Sequence, residues 1–228
     1  MATRKESPAV WVYVVRHGEV ENPRQVFYGR LPGFGISKKG KEQAAIVGQF
    51  LKERSEAELK GPRPMLLVSS PMQRAQETAK IVCEKLGIST KIKTEEGMNE
   101  VKSPFQGKSL EYMSGIKWEL YDPKNLTAIG AYDEKNYETF EACAERVVKA
   151  VVAIARKASS ENKDGTPISV VATSHGDCCQ ALRMWGSGTV PTAAARSKER
   201  SYPGYCSITA LKIELESGSC LSMHTKDW

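Results

Sequence analysis

Three nearly continuous apolar runs, at residues 10–15, 65–68 and 168–172, each end in a short polar motif: Arg16-His17-Gly18, Ser69-Ser70-Pro71 and Thr173-Ser174-His175-Gly176. Runs without polar alternation need burial on both faces, which is the situation of a parallel sheet covered by helices. The intervening sequence supplies those helices. Residues 37 to about 54 place Ala44, Ala45, Val47, Phe50 and Leu51 on one stripe, with Ser37 as the N-cap. Residues 71–86 do the same with Met72, Ala75, Ala79, Val82, Cys83 and Leu86; Pro71 suits the first helical position and Gly87 the stop. Residues 136–159 form a long amphipathic segment through Phe140, Val147, Val148, Val151, Val152, Ile154 and Ala155.

A polar loop rich in Pro and Gly spans residues 19–35, and a strand is expected near residues 90–94. Residues 101–135 are irregular except for a helix over 109–120. Two late runs, 206–215 and 220–225, flank Glu216-Ser217-Gly218-Ser219 and predict a hairpin closing one edge. The pattern predicts an α/β fold: a three-layer α/β/α sandwich whose central sheet is mostly parallel with an antiparallel edge strand. No linker or repeat divides the chain, so residues 1–228 are expected to form a single domain. Ligands of open α/β sheets bind outside the carboxyl ends of the strands, where the three polar motifs fall.

Composition agrees with a packed core, since 40% of the 228 residues are hydrophobic and 26% charged, which excludes a disordered chain. The net charge of +6 favours anions only weakly. The densest basic stretches, residues 38–41 and 196–200, are short, lack interleaved aromatics and are expected to be solvated surface. No nucleic-acid partner is expected, and no apolar run is long enough for a signal peptide or a membrane span. A cytoplasmic location is the default that follows. Cys83, Cys143, Cys178, Cys179, Cys206 and Cys220 lack metal or disulfide spacing and are expected to be reduced and mostly buried, the vicinal Cys178-Cys179 in core packing.

The chemistry concentrates in few residues. Of three histidines, His17 and His175 each precede a glycine at the end of an apolar strand, whereas His224 is expected at a surface strand end. Taken singly, each of the first two is as readily a hydrogen-bonded loop or core residue. Arg74 alone suits an exposed helix arginine paired with Glu77. Glu100 alone suits a solvated carboxylate.

Their order along the chain resembles the histidine phosphatase superfamily, the phosphoglycerate mutase-like proteins. The resemblance rests on Val14-Val15-Arg16-His17-Gly18-Glu19, Tyr28-Gly29-Arg30, Ser37-Lys38-Lys39-Gly40-Lys41-Glu42-Gln43-Ala44, Ser69-Ser70-Pro71-Met72-Gln73-Arg74-Ala75-Gln76-Glu77-Thr78, Met98-Asn99-Glu100, Ser174-His175-Gly176 and Cys206-Ser207-Ile208-Thr209. It implies a phosphoglycerate mutase-like fold with His17 as the nucleophile that becomes a phosphohistidine. Arg16, Arg74 and His175 would surround the phosphoryl group, and Glu100 would carry the proton. Gly18, Asn22, Tyr28, Gly29 and Gly176 would complete the phosphate-binding set. It also implies a lid-like insertion at about residues 101–135, where Lys102, Lys108, Tyr112 and Trp118 are either substrate contacts or ordinary surface and packing residues. Neither a metal nor another cofactor is implied.

The sequence departs from the mutases at two points. Asn22 lies five residues after the nucleophile rather than six. Glu100 is followed by Val101-Lys102-Ser103 rather than by an Arg-x-Tyr segment that holds phosphoglycerate. The expected activity is therefore a metal-independent phosphatase acting on a small phosphate monoester. A mutase-type phosphoryl transferase is the alternative, followed by a non-catalytic phosphate-binding module. The expected partner is a small phosphorylated metabolite, with homodimerisation left open.

Overall fold

The computed structural model describes residues 8–59, 65–88, 91–130, 135–163, 168–198 and 202–228. Along the chain run β1 (Ala9–Arg16), α1 (Lys38–Leu59), β2 (Met65–Ser69), α2 (Gln73–Leu86), β3 (Lys93–Thr94), a 3-10 turn (Glu96–Met98), α3 (Leu110–Gly115), α4 (Pro123–Ala128), α5 (Phe140–Glu161), β4 (Ser169–Ser174), α6 (Gly176–Gly186), α7 (Ala193–Lys198), β5 (Ile208–Glu214) and β6 (Cys220–Lys226). The strands form one sheet in the order β3-β2-β4-β1-β5-β6. The first four are mutually parallel; β5 and β6 add an antiparallel hairpin at one edge.

The continuous apolar strands are explained by the two faces of this sheet. Successive side chains of a strand point to opposite faces. Val12 and Val14 of β1 pack with Val147, Val151 and Ile154 of α5 and with Cys178 and Leu182 of α6. Tyr13 and Val15 pack on the other side with Ala44, Val47 and Leu51 of α1 and Val82 of α2. Both faces of β1 are thus dry, and no position on it is left for a polar residue until Arg16. A third, smaller cluster of Phe105, Met113, Leu120 and Leu126 lies within the segment expected as a lid.

Several boundaries move, each for a local reason. Ser37 caps α1 as expected, its Oγ accepting the Gly40 N–H at 3.0 Å, but α1 runs on to Leu59. Pro71 does not open α2: Met72 is extended (ψ 136°) and the helix begins at Gln73, because Ser70 Oγ accepts the Met72 N–H and draws the entry inward. Gly87 stops α2 in the left-handed conformation, φ 70°. The helix expected over 109–120 ends at Gly115. Lys117 and Trp118 then take left-handed backbone, φ 53° and 58°, which no α-helix can include. Thr139, rather than residue 136, starts α5 by accepting the Ala142 N–H. The short helices α4 and α7 are additions to the expected pattern. β3 covers only the end of the strand expected over 90–94, residue 90 lying outside the described residues.

All six cysteines are free thiols and five are buried. His224 lies on the exposed edge strand β6, stacked on Trp11 at 5.7 Å. Among the described residues no helix is long and apolar enough to cross a membrane.

Candidate active site

β1 and β4 are adjacent and parallel, with Arg16 opposite Ser174, so the next residue of each, His17 and His175, emerges side by side. Their ring centroids are 5.3 Å apart. Ser70 leaves the end of β2 beside them, and α2 carries Arg74 inward from the same entry. Glu100 arrives on the loop after the 3-10 turn. The four strand-end and loop segments meet at the carboxyl edge of the sheet, and His17, Arg74 and His175 are all at most 1% exposed.

Packing this close needs glycine. A side chain at Gly18 would run into the Gly40 backbone, and one at Gly176 into the Tyr202 hydroxyl. Gly18 also donates its N–H to Thr78 Oγ at 3.0 Å, tying β1 to α2.

The hydrogen bonds set the tautomers. His17 Nδ1 donates to the Gly18 carbonyl at 2.9 Å, which leaves Nε2 unprotonated, and Arg74 Nε donates to that nitrogen at 3.2 Å. Arg74 Nη2 donates to His175 Nδ1 at 3.1 Å and to the Gly29 carbonyl at 2.8 Å. His175 therefore carries its proton on Nε2 and donates it to Ser70 Oγ at 2.7 Å. One Glu100 oxygen lies 3.6 Å from Arg74 Nη2 and 3.5 Å from His175 Nδ1. Arg16 anchors through Nη1 to the Pro203 carbonyl at 2.5 Å, stacks over Tyr205 at 4.2 Å and keeps a buried Nε with no partner. Tyr28 covers Arg74, whose guanidinium carbon is 4.8 Å from the ring centroid.

A second group of charges holds the Glu100 loop. Arg146 Nη1 donates to the carbonyls of Gly97 and Asn99 at 2.8 and 3.0 Å, and its other edge pairs with Glu138 at 2.7 and 2.8 Å. Arg30 Nε donates to the Glu100 carbonyl at 2.5 Å. Backbone on both sides of Glu100 is thus pinned by guanidiniums.

Burial, and then the Arg74 and Arg16 cations, hold His17 well below the ordinary histidine pKa. The same two causes, with His17 added, depress His175. Burial raises the Glu100 carboxyl against the opposing pull of Arg74, with Asp177 adding to the rise. A histidine with a depressed folded pKa binds fewer protons than its unfolded counterpart below pH 6.5. Stability then increases with pH up to that value and is lost on going below it. Thermal melts are expected to fall as pH drops below about 6.5, at up to about 1.4 kcal/mol per pH unit for each histidine. The raised Glu100 opposes this slope. His17→Asn should flatten the descent, and an unaltered slope would show that His17 is not buried neutral.

His17, Glu100 and His175 place ligand atoms within 4.8 Å of one another, a spacing that suits a metal ion. The interior of that triangle is already served by a fixed cation, since Arg74 addresses both ring nitrogens and lies beside the carboxylate. A second cation there would meet a guanidinium.

The site opens into a cavity of about 620 Å³ lined by Arg16, His17, Asn22, Tyr28, Gly29 and Glu100 at one end. Apolar residues on its wall include Val26, Phe27, Leu110, Trp118 and Leu120, and its other polar lining includes Asp177, Gln180, Arg196, Tyr202 and Tyr205. Of the site residues expected from sequence, Asn22 reaches the cavity wall with its amide already bonded to Val26, through the carbonyl at 2.9 Å and the N–H at 3.3 Å. Of the four lid candidates, Trp118 lines the cavity, whereas Lys102, Lys108 and Tyr112 do not. Arg74 does not pair with Glu77, which instead accepts from Gln73 and the Ile36 N–H.

One expectation is overturned. Arg196, placed among the solvated basic residues, turns inward from α7 onto Asp177 at 2.9 Å, its side chain 12% exposed. It stacks over Tyr121 and Phe140 at 5.1 and 5.9 Å, a setting that a fragment of sequence cannot reveal. Residues 199 and 200 of that stretch lie outside the described residues. Asp177 and Gln180 were open to recognition, because positions 177 and 180 share a face of the helix that opens directly after His175. Tyr202 and Tyr205 carried no such signal.

Comparison with known proteins follows the same lines. Over 118 residues the chain is 36% identical to an uncharacterized protein of Mycobacterium tuberculosis, covering 49% of this chain and 54% of that protein. The chain thus spans about half the length of the curated relatives it matches. Mycobacterial glucosyl-3-phosphoglycerate phosphatase superposes with a TM-score of 0.67 at 21% identity, over 97% of this chain and 99% of that one. Phosphoglycerate mutase from Bacillus anthracis gives 0.68 at 21% identity, over 98% and 94%. Both likenesses bear on the fold. The profile of the histidine phosphatase superfamily (branch 1) matches residues 12–226, and the chain belongs to that family.

Proposed function

We propose that the protein is a metal-independent phosphatase that hydrolyses small phosphate monoesters through a phosphohistidine on His17. The observation that carries this reading is the unprotonated His17 Nε2 with the Arg74 guanidinium bonded to it, in the field of Arg16, whose buried Nε has no partner. Phosphoryl transfer spreads charge over three equatorial oxygens, so catalysis is mostly positioning and cationic stabilisation. The incoming phosphate draws Arg74 Nε onto its oxygens, and Nε2 gains a free lone pair to attack phosphorus in line. The P–O ester bond breaks as the P–N bond forms, and Glu100 gives its proton to the departing alkoxide. Water then attacks the phosphohistidine while Glu100 takes back a proton; inorganic phosphate leaves and His17 returns neutral.

The rise in the Glu100 pKa serves the first step, since the carboxyl must be protonated near working pH. Activity is expected to rise with pH through the depressed His17 value and to fall past the raised Glu100 value.

Hydrolysis is preferred over mutase chemistry because, of the residues just after Glu100, only apolar Val101 reaches the cavity. Ser103 and Phe105 are buried at 3% and 0% exposure, and Lys102 is absent from the lining. The segment after Glu100 thus offers the cavity no cation for a carboxylate such as that of phosphoglycerate. Loss of the acid separates substrates by leaving group. Glu100→Gln is expected to slow alkyl phosphates roughly 10²- to 10⁴-fold and p-nitrophenyl phosphate far less, because a phenolate departs with little help. Equal losses on both would reassign the acid, and phosphoglycerate isomerisation faster than hydrolysis would replace the phosphatase reading with the mutase one.

A further inference from the structure

Among the polar groups of the cavity that the hydrolysis does not use, one is buried with no partner. Gln180 sits one turn into α6 at 2% exposure and lines the cavity, and its buried Oε1 has no hydrogen-bond partner. A buried amide oxygen without a partner costs roughly what a lost hydrogen bond does, so an amide held in that state at a cavity wall calls for a donor, from water or from a ligand.

Its neighbours narrow what that is. The Asp177 carboxylate is fully committed, to Arg196 Nε at 3.0 Å through one oxygen and to the Tyr121 hydroxyl at 3.0 Å through the other. Arg196 is thereby neutralised and enclosed by aromatic rings. Lys117 and Glu119 oppose each other in sign on the lining. Among the described residues, Asp177 and Arg196 are thus committed to each other, and neither is a free buried charge for a second phosphate or a carboxylate. Phe27 and Trp118, in edge-to-face contact at 6.2 Å, add an apolar wall. A volume of about 620 Å³ lies within the range of pockets that enclose an organic ligand.

We infer that Gln180 reads a hydroxyl on the leaving group, and that the substrate class is a monophosphate of an uncharged polyol or sugar. The inference rests on the proposed hydrolysis at His17. The substrate hydroxyl donates to Gln180 Oε1, while the C–H face of the same carbon chain lies on the Phe27 and Trp118 wall. A site built to bond a hydroxyl discriminates strongly against an analogue that lacks it.

Sorbitol 6-phosphate and hexyl phosphate form the test pair, since both are six-carbon primary alkyl phosphates that differ in their hydroxyls. The wild-type protein is expected to favour sorbitol 6-phosphate in kcat/KM by roughly tenfold to a hundredfold. Gln180→Leu and Gln180→Met should bring that ratio down toward one, through a higher KM for the polyol ester. A wild-type ratio near one overturns the inference without any variant. A ratio that persists in both variants, or equal losses on both esters, does the same, the latter marking Gln180 as merely structural. Hexyl phosphate turnover that still requires His17 would show that the hydrolytic reading survives such a failure; turnover independent of His17 would sink both.

Discussion

Replacement of His17 by alanine is expected to lower monoester hydrolysis roughly 10⁴- to 10⁶-fold, as loss of a covalent nucleophile does. The wild-type rate should persist in EDTA. Acid-quenched wild-type protein, mixed with labelled substrate, should carry an acid-labile phosphoryl group that His17→Ala lacks. The size of the effect follows from the geometry. His17 is the residue whose unprotonated nitrogen is presented by a bond from its other nitrogen to Gly18, and His17 lines the cavity whereas His175 does not. Undiminished turnover in His17→Ala, or activity abolished by EDTA, would overturn the mechanism.

Arg74→Lys should be nearly as damaging, at roughly 10²- to 10³-fold in kcat, although the charge is retained. The Arg74 guanidinium addresses His17, His175 and Gly29 at once and approaches Glu100. An ammonium is a point charge without that planar fork and cannot hold two ring nitrogens and two phosphoryl oxygens in turn. The substitution also leaves buried acceptors unpaired, costing stability by about 1 to 3 kcal/mol, visible as a lower melting temperature. A separate signature distinguishes electrostatics from mere damage. With the cation displaced, the field that depresses His17 weakens, so the acid limb of the pH–rate profile should move to higher pH. A profile that keeps its shape while only its height falls would assign Arg74 to packing.

Much of the scaffold could be read before any coordinates, for a simple reason. A strand dry on both faces must be apolar at every position, so residues 10–15 and 168–172 announce their place at the centre of the sheet. The polar residues that end those runs then mark the carboxyl edge. Helix stops written in local chemistry, such as Gly87, were legible for the same reason. Pro71 was misleading because the helix entry is governed by Ser70, whose hydroxyl answers to His175 a hundred residues away as well as to Met72. The segment expected as a lid was least legible, since the left-handed turn at Lys117 and Trp118 sits beside the packed cluster of Phe105, Met113 and Leu120 and leaves no periodic trace.

The amino-acid sequence by itself determined which strands are central, where their polar ends fall, and that an arginine-histidine pair and a second histidine would gather at one sheet edge. Hydrophobic periodicity and strand order are local or near-local properties, and they suffice for that. The tertiary structure alone decided the tautomers of His17 and His175, the turning inward of Arg196 onto Asp177, the guanidinium clamp around Glu100 and the unpartnered amide of Gln180. Each depends on which groups from distant segments share a low-dielectric space, where one missing or added partner changes a protonation state or the ligand a pocket will accept.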